Sequence, residues 1–342
     1  MRRGLRCLDV AAAILLLAPG PARALETDQF YAWGRQLPDA TAALNARINA
    51  DIEDVLDELQ GGASPPRCAE VRRRIAARFR FLIFGPVEVW ASHSSLVPRI
   101  PATAEEELAY RRASLYRRMS AFDPAGWLPI TPTISLNGVR VGTDKLTHFF
   151  NEGHYYFHWY EGARRPGQPF DLAAVDRAIG RGIFTERTLL GKAASGVFSP
   201  ADLEANYEGM RFFIGLCDGE APQLQATPEG YRLARPFDWR DHVTPEWDES
   251  YQPSIYSQRR WREVAPEMRK YCALLDEPEV VAQRAAYRER DRMTITEERM
   301  LALVRQGKLP DPVEFSIERA CGAYRFPGPS GAGADGRGVA QP

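Results

Sequence analysis

From Asp39 to Gln60, Leu44, Ile48, Ile52, Val55 and Leu59 recur at helical spacing. Such a stripe is the apolar face of an amphipathic helix. Gly61, Gly62, Ser64, Pro65 and Pro66 then stop it, since glycine and proline break helical continuation. An arginine-rich helix is expected from Cys68 to Phe84, and another from Ala104 to Ser120. At Thr133 the rhythm changes to period two. Thr133-Ile134-Ser135-Leu136 and Val139-Arg140-Val141 flank Asn137-Gly138. Two alternating runs around Asn-Gly predict a hairpin, because both central turn positions need positive φ.

The helical rhythm returns over Asp144 to Tyr160. Ser199 to Cys217 has good start chemistry, with Ser199 at N-cap, Pro200 at N1 and Asp202 at N3 as a capping-box acid. Glutamate or glutamine is the usual choice at N3. A second small hairpin is expected across Pro228-Glu229-Gly230, then helices over Ser257 to Leu275 and Pro278 to Gly307. No repeat of 20 to 50 residues runs through the chain. These elements make a mainly α protein, a single helical domain over 25–325 with one or two small β-hairpins. From Phe326 onward Gly, Pro, Ser and Ala predominate, so 326–342 is expected to be a disordered tail.

Composition narrows the class. The 342 residues carry 44 basic and 45 acidic side chains. Nucleic-acid binding is excluded as a main role, because tracking phosphates needs a cationic excess. Residues 1–24 read as a secretory signal peptide. Arg2, Arg3 and Arg6 precede the short apolar run Val10 to Ala18, and Ala22-Arg23-Ala24 is a cleavage signature. Cleavage would remove Arg2, Arg3, Arg6, Arg23 and Asp9, leaving 40 basic and 44 acidic groups and a formal charge of -4. No apolar run is long enough for a transmembrane segment after that cleavage. The expected location is periplasmic or secreted. Cys68, Cys217, Cys272 and Cys321 would then remain, an even number that fits two disulfides in any of three pairings. No Gly-rich phosphate loop, G-x-S-x-G elbow or H-E-x-x-H is present.

Three of the five histidines fall in DKLTHFFNEGHYYFHWY, residues 144–160. At 100° per residue, Leu146, Phe149, Phe150, Gly153, Tyr156, Phe157 and Tyr160 share the core arc. Asp144, His148, Asn151, Glu152, His154, Tyr155, His158 and Trp159 share the other, with Lys145 at the border. Asp144 and His148 are one turn apart, so the carboxylate can orient the imidazole. His148 and Glu152 repeat that spacing.

Three readings stay open. In one, this face is a second packing layer whose histidines are satisfied by hydrogen bonds. In another, Asp144, Lys145, His148 and Glu152 form a metal-free acid–base cluster. In the third, His154 and His158 hold a divalent metal such as zinc, with a third ligand from Glu152, His93 or His242. Gly153 in mid-helix points to close packing. Glu186 could pair with Glu152 as acid and base of a glycosidase-like site. Asn206 lies at the edge of its helix's apolar stripe, where partial burial with a hydrogen bond is expected.

The segment Asp144-Lys145-x-x-His148-Phe149 resembles the DKxxHF helix of VanZ-like membrane proteins and of small periplasmic lipoproteins similar to YfiM. NGVRVGTDKLTHFF (137–150) and SPADLEANYEGMRFF (199–213) together resemble an uncharacterised family of exported bacterial proteins. That resemblance implies an envelope location and no particular activity. Two functions are expected to compete. One is a hydrolase of an envelope polymer or lipid, with His148 as base or ligand, Asp144 orienting it, Glu152 and Glu186 as acid–base groups and Lys145 as an electrophile. The other is a non-catalytic protein that binds an envelope glycan, lipid or protein partner through aromatic surface at Tyr155, Trp159 and the Trp239/Trp247 region.

Overall fold

A computed structural model describes residues 26–60, 65–81, 84–117, 130–165, 170–190, 195–219 and 221–322. The expected signal peptide and C-terminal tail lie outside the described residues. Helix α1 (Thr41–Leu59) follows the predicted stripe, with Leu44, Ile48, Ile52, Val55 and Leu56 buried. Helix α2 (Cys68–Phe79) is shorter than expected, and a separate helix α3 (Pro86–His93) follows with Pro86 in its first turn. Proline cannot continue a helix but is preorganised to begin one. Helix α4 spans Ala104–Ala113.

Strands β1 (Thr133–Leu136) and β2 (Val139–Gly142) form the expected antiparallel hairpin. Asn137 and Gly138 take φ of 52° and 72°, as a type I′ turn requires. All eight strand residues are buried, so this hairpin is a core element.

It leads into a central helix built in three parts. Helix α5 (Asp144–Thr147) passes through a π-helical turn (His148–Glu152) into helix α6 (Gly153–Glu161). Helix α7 (Leu172–Thr185), absent from the sequence reading, starts with Asp171 accepting from the Ala173 and Ala174 amides. A second π-helical turn, Glu186–Leu190, extends it. Strand β3 (Val197–Phe198) pairs antiparallel with β6 (Ile255–Tyr256). Helix α8 (Pro200–Gly215) is capped by Ser199, whose hydroxyl accepts from the Asp202 amide at 3.1 Å.

The second hairpin, β4 (Leu224–Thr227) and β5 (Gly230–Leu233), forms as expected. Helix α9 (Gln258–Met268) continues as a 3-10 turn, Arg269–Leu274. The long helix expected over Pro278 to Gly307 is instead two, α10 (Pro278–Arg290) and α11 (Ile295–Arg305), because Thr294 caps a new start. A short helix, α12 (Ile317–Ala320), completes the fold.

The fold is therefore mainly α, with three two-stranded antiparallel pairs among the described residues. One hydrophobic cluster runs through α1, α2, the β1–β2 hairpin, the central helix and α8. Its tightest seam joins the central helix to α8. A Cβ on Gly153 would lie 2.6 Å from the Gly209 Cα, and one on Gly209 only 1.9 Å from the Phe149 carbonyl oxygen. Two glycines let the backbones touch, which answers the question posed by Gly153 in mid-helix. Disulfides Cys68–Cys217 and Cys272–Cys321 tie α2 to the end of α8 and the turn after α9 to the end of α12. Among the described residues, no helix is long and apolar enough to cross a membrane.

Candidate functional site

The hairpin turns the chain so that α5 begins in the core. Asp144 and Lys145 are both buried there, and the Lys145 side chain is 0% exposed. A charge so placed needs partners, because burial of an unpaired ammonium costs several kcal/mol or more. Lys145 has three. Its Nζ lies 2.7 Å from Asp144 Oδ2, 2.7 Å from Asp202 Oδ1 and 2.6 Å from Glu249 Oε1. These partners come from α5, the first turn of α8 and the segment after the 3-10 turn Pro245–Trp247. Burial opposes the Lys145 charge, but the carboxylates outweigh it and hold its pKa well above the ordinary value. Burial likewise opposes the Asp144 charge, and Lys145 and His148 overcome it to lower its pKa.

The other Asp144 oxygen is held by hydroxyls. Thr27 donates to Oδ1 at 2.7 Å and Thr131 at 3.4 Å. Ser199 donates to Glu249 Oε1 at 2.9 Å. More carboxyls surround this knot than its cations can neutralise. Burial, reinforced by Glu249 and Asp202, pushes Glu26 well above the ordinary carboxyl pKa. Burial and then repulsion from Asp202 push Glu186 up, although the Ser199 amide donates to it. Burial raises Glu152 despite His148 and Arg80, and raises Glu249 despite Lys145. Such a surplus of buried acid calls for protons or for a multivalent cation.

His148 supplies the geometry for a cation. Its Nδ1 lies 3.1 Å from Asn206 Oδ1, so Nδ1–H donates there, and in the neutral ring Nε2 is the nitrogen with the lone pair. Nε2 faces Asp202 Oδ2 at 3.4 Å. That is long for a hydrogen bond. It matches an edge of a tetrahedral zinc shell, where ligands at about 2.0–2.1 Å lie about 3.3–3.4 Å apart. One ligand atom from each of Asp144, His148 and Asp202 falls within 4.8 Å of the others, and all three residues are buried. This group can hold a metal.

The predicted site residues thus divide. Asp144, Lys145, His148, Glu152 and Glu186 come together, and Glu152 is near enough to add to the rise in the Glu186 pKa. His154 and His158 lie apart from them. Their rings meet at 4.3 Å between centroids, but Arg80 Nη1 sits 2.6 Å from His154 Nδ1. Burial, then Arg80, then His158 lower the His154 pKa to about 3.

The expected third ligands are engaged elsewhere. His242 Nδ1 lies 3.0 Å from Glu208, and His93 Nδ1 lies 2.8 Å from the Val89 carbonyl. No metal-competent group among the described residues includes His154 or His158. The aromatic surface also differs from expectation. Trp239 and Trp247 are core residues, whereas Tyr155 is 45% exposed.

Sequence reasoning missed Asp202, Glu249 and Glu26. For Asp202 a signal existed: aspartate at N3 is one methylene shorter than the usual capping-box glutamate. Its carboxylate turns to Lys145 and His148 instead, and Glu186 takes the Ser199 amide. Nothing in the local pattern marks Glu249 or Glu26.

A cavity of about 420 Å³ opens between α3 and α4, within the usual range for small-molecule sites. Its wall includes Glu88, His93, Arg99, Arg111 and Thr131. Thr131 is the hydroxyl that reaches Asp144, and Glu88 accepts from Thr147 of α5. Burial raises the Glu88 pKa to about 8, so this carboxyl is mostly protonated at neutral pH. Comparison with protein-family models, curated proteins and solved structures gives no match.

Proposed function

We propose that this chain is an exported cell-envelope hydrolase with a metal centre at Asp144, His148 and Asp202, acting on an envelope polymer or lipid. The observation that carries the reading is the setting of His148, with Asn206 fixing one ring nitrogen and Asp202 facing the other at 3.4 Å. A bound zinc would supply an activated water and a Lewis acid. Asn206 holds the imidazole in the tautomer that coordinates. Lys145 engages one oxygen each of Asp144 and Asp202, which leaves Asp202 Oδ2 facing the imidazole, while an ion at Asp144 would share Oδ1 with the Thr27 and Thr131 hydroxyls. Glu186, held protonated by burial, can give a proton to a leaving group. The two disulfides suit an oxidising compartment. The cavity beside Thr131 offers apolar walls with Arg99 for an anionic substrate group, Arg111 being paired with Glu107 at 2.6 Å.

The test is turnover of peptidoglycan, envelope polysaccharide and phospholipid vesicles by zinc-loaded protein. His148→Ala and Asp202→Asn should abolish hydrolysis while leaving the far-UV dichroism unchanged. Retained hydrolysis in His148→Ala overturns the assignment.

A second reading rests on depth. Every member of the knot is buried, which suits a non-catalytic binding or assembly protein whose ionic hub fixes the packing of α5, α8 and the 249 segment. That reading expects no turnover, and loss of folding cooperativity in Lys145→Met.

A further inference from the structure

A second acidic group lies where the Pro245–Trp247 turn meets the junction of α10 and α11. Glu246 sits on the turn, Asp291 follows the last residue of α10, and Glu297 occupies the first turn of α11. One oxygen from each falls within 4.8 Å of the others. Three carboxylates this close repel one another unless something positive lies between them. Among the described residues, no lysine, arginine or histidine forms an ion pair with any of the three.

Glu246 adds an independent observation. It is only 4% exposed, neither carboxylate oxygen has a well-aligned donor, and burial, followed by its contacts with Thr244 and Asp291, leaves its pKa pushed up to about 7. A buried carboxylate so placed costs free energy that a ligand would recover. Glu246 and Glu297 also line a small void of about 10 Å³ whose wall includes Leu203, Met300, Glu204 and Thr296, while Asp291 lies outside it. A space of that size accommodates roughly one water or one ion. Asp291 is held in place from the outside, since the Tyr251 hydroxyl donates to its Oδ2 at 2.7 Å. Thr294 caps α11 by accepting from the Glu297 amide at 3.1 Å, which fixes the backbone that carries Glu297.

The geometry points to a calcium site formed by Glu246, Asp291 and Glu297, independent of the His148 centre. The donors are all oxygen, a set that suits calcium, magnesium and manganese better than zinc or copper. Calcium accepts six to eight oxygens in irregular arrangements and takes carboxylates in bidentate fashion. Magnesium demands near-ideal octahedral geometry, which donors from a 3-10 turn, a helix C-cap and a helix N-terminus do not offer. Bound there, calcium would clamp the α10–α11 junction onto the Pro245–Trp247 turn. That junction is where the predicted long helix breaks in two.

The experiment is thermal unfolding of the full chain after chelation, with calcium chloride or magnesium chloride added back to about 1 mM, the range of extracellular calcium modules. At about 1 mM, about 10-fold above a dissociation constant of about 0.1 mM, calcium should raise the Tm by about 2 °C, and magnesium should do much less. Asp291→Asn and Glu297→Gln should each remove the calcium response. His148→Ala should keep it, which separates this site from the proposed metal centre. Isothermal titration should give one calcium per chain. No shift with calcium, an equal shift with magnesium, or a calcium shift that survives Asp291→Asn overturns the assignment. The last case cannot be a folding failure, since that variant must unfold cooperatively to be read. No calcium response would leave a proton shared between Glu246 and Asp291 as the group that relieves their repulsion.

Discussion

The two halves of the central helix carry the same chemistry at the same spacing and end in opposite electrostatic company. In the first half, His148 lies one turn from Asp144 and faces Asp202, beside more buried carboxyls than cations. In the second, His154 lies one turn from His158 and faces Arg80. The difference is made by neighbours far along the chain. Helix α8 brings Asp202 and Asn206 to the first half, while the residue after α2 brings a guanidinium to the second. Ligand spacing on a helix is therefore only half of a metal site. The other half is the sign of the charge that the fold packs against it.

Removing the central cation should break this contrast most strongly. Lys145→Met leaves Asp144, Asp202 and Glu249 buried without their shared counter-ion, and should cost about 3–5 kcal/mol in urea unfolding. A loss below about 1 kcal/mol would mean that the carboxyls of the knot are already neutral and that Lys145 organises nothing.

The next effect is on pH dependence. Burial raises the folded pKa of Glu88 from the ordinary 4.5 to about 8. Between those values the folded state binds more protons than the unfolded state. Its contribution is complete below about pH 4.5 and declines as pH rises through 8. The slope is about 1.4 kcal/mol per pH unit. Glu88→Gln, which mimics the protonated carboxyl, should flatten the stability profile over that window. An unchanged slope would show that Glu88 is ionised in the folded protein.

The smallest effect belongs to the second half. His158 is exposed, so His158→Ala should change stability by no more than about 0.5 kcal/mol. His154, held neutral by burial and Arg80, should show no imidazole titration by NMR between pH 4.5 and 8. A titrating His154 would place Arg80 elsewhere in solution and reopen the pair as a ligand site.

Local elements were legible in the sequence where local physics decides them. The Asn137-Gly138 turn, the Ser199 cap and the stripe of α1 all appear as read. Helix ends were less legible. Thr294 divides a stretch that reads as one helix, because its cap outweighs a continuing apolar pattern. Helix α7 escaped because its stripe, Ala174, Val175, Ala178, Ile179 and Ile183, is built partly from alanines, which are weak markers of a face.

The site was half legible. The segment 144–152 stood out by its residue types, and Glu186 was singled out as its partner. Asp202 was hidden behind a plausible capping role. Glu249 and Glu26 were invisible, since only tertiary packing brings them to Lys145. The π-helical turn at His148–Glu152 was equally hidden. Its wider winding shifts the phase of the helix, and a strict 100° projection cannot represent it.

The most direct test of the metal centre is elemental mass spectrometry on protein made in an oxidising compartment, purified without a histidine tag or chelator. The account predicts about one zinc per chain, lost in His148→Ala and kept in the His154→Ala/His158→Ala double variant. No stoichiometric transition metal in the wild type, or a metal lost only in the double variant, would contradict it.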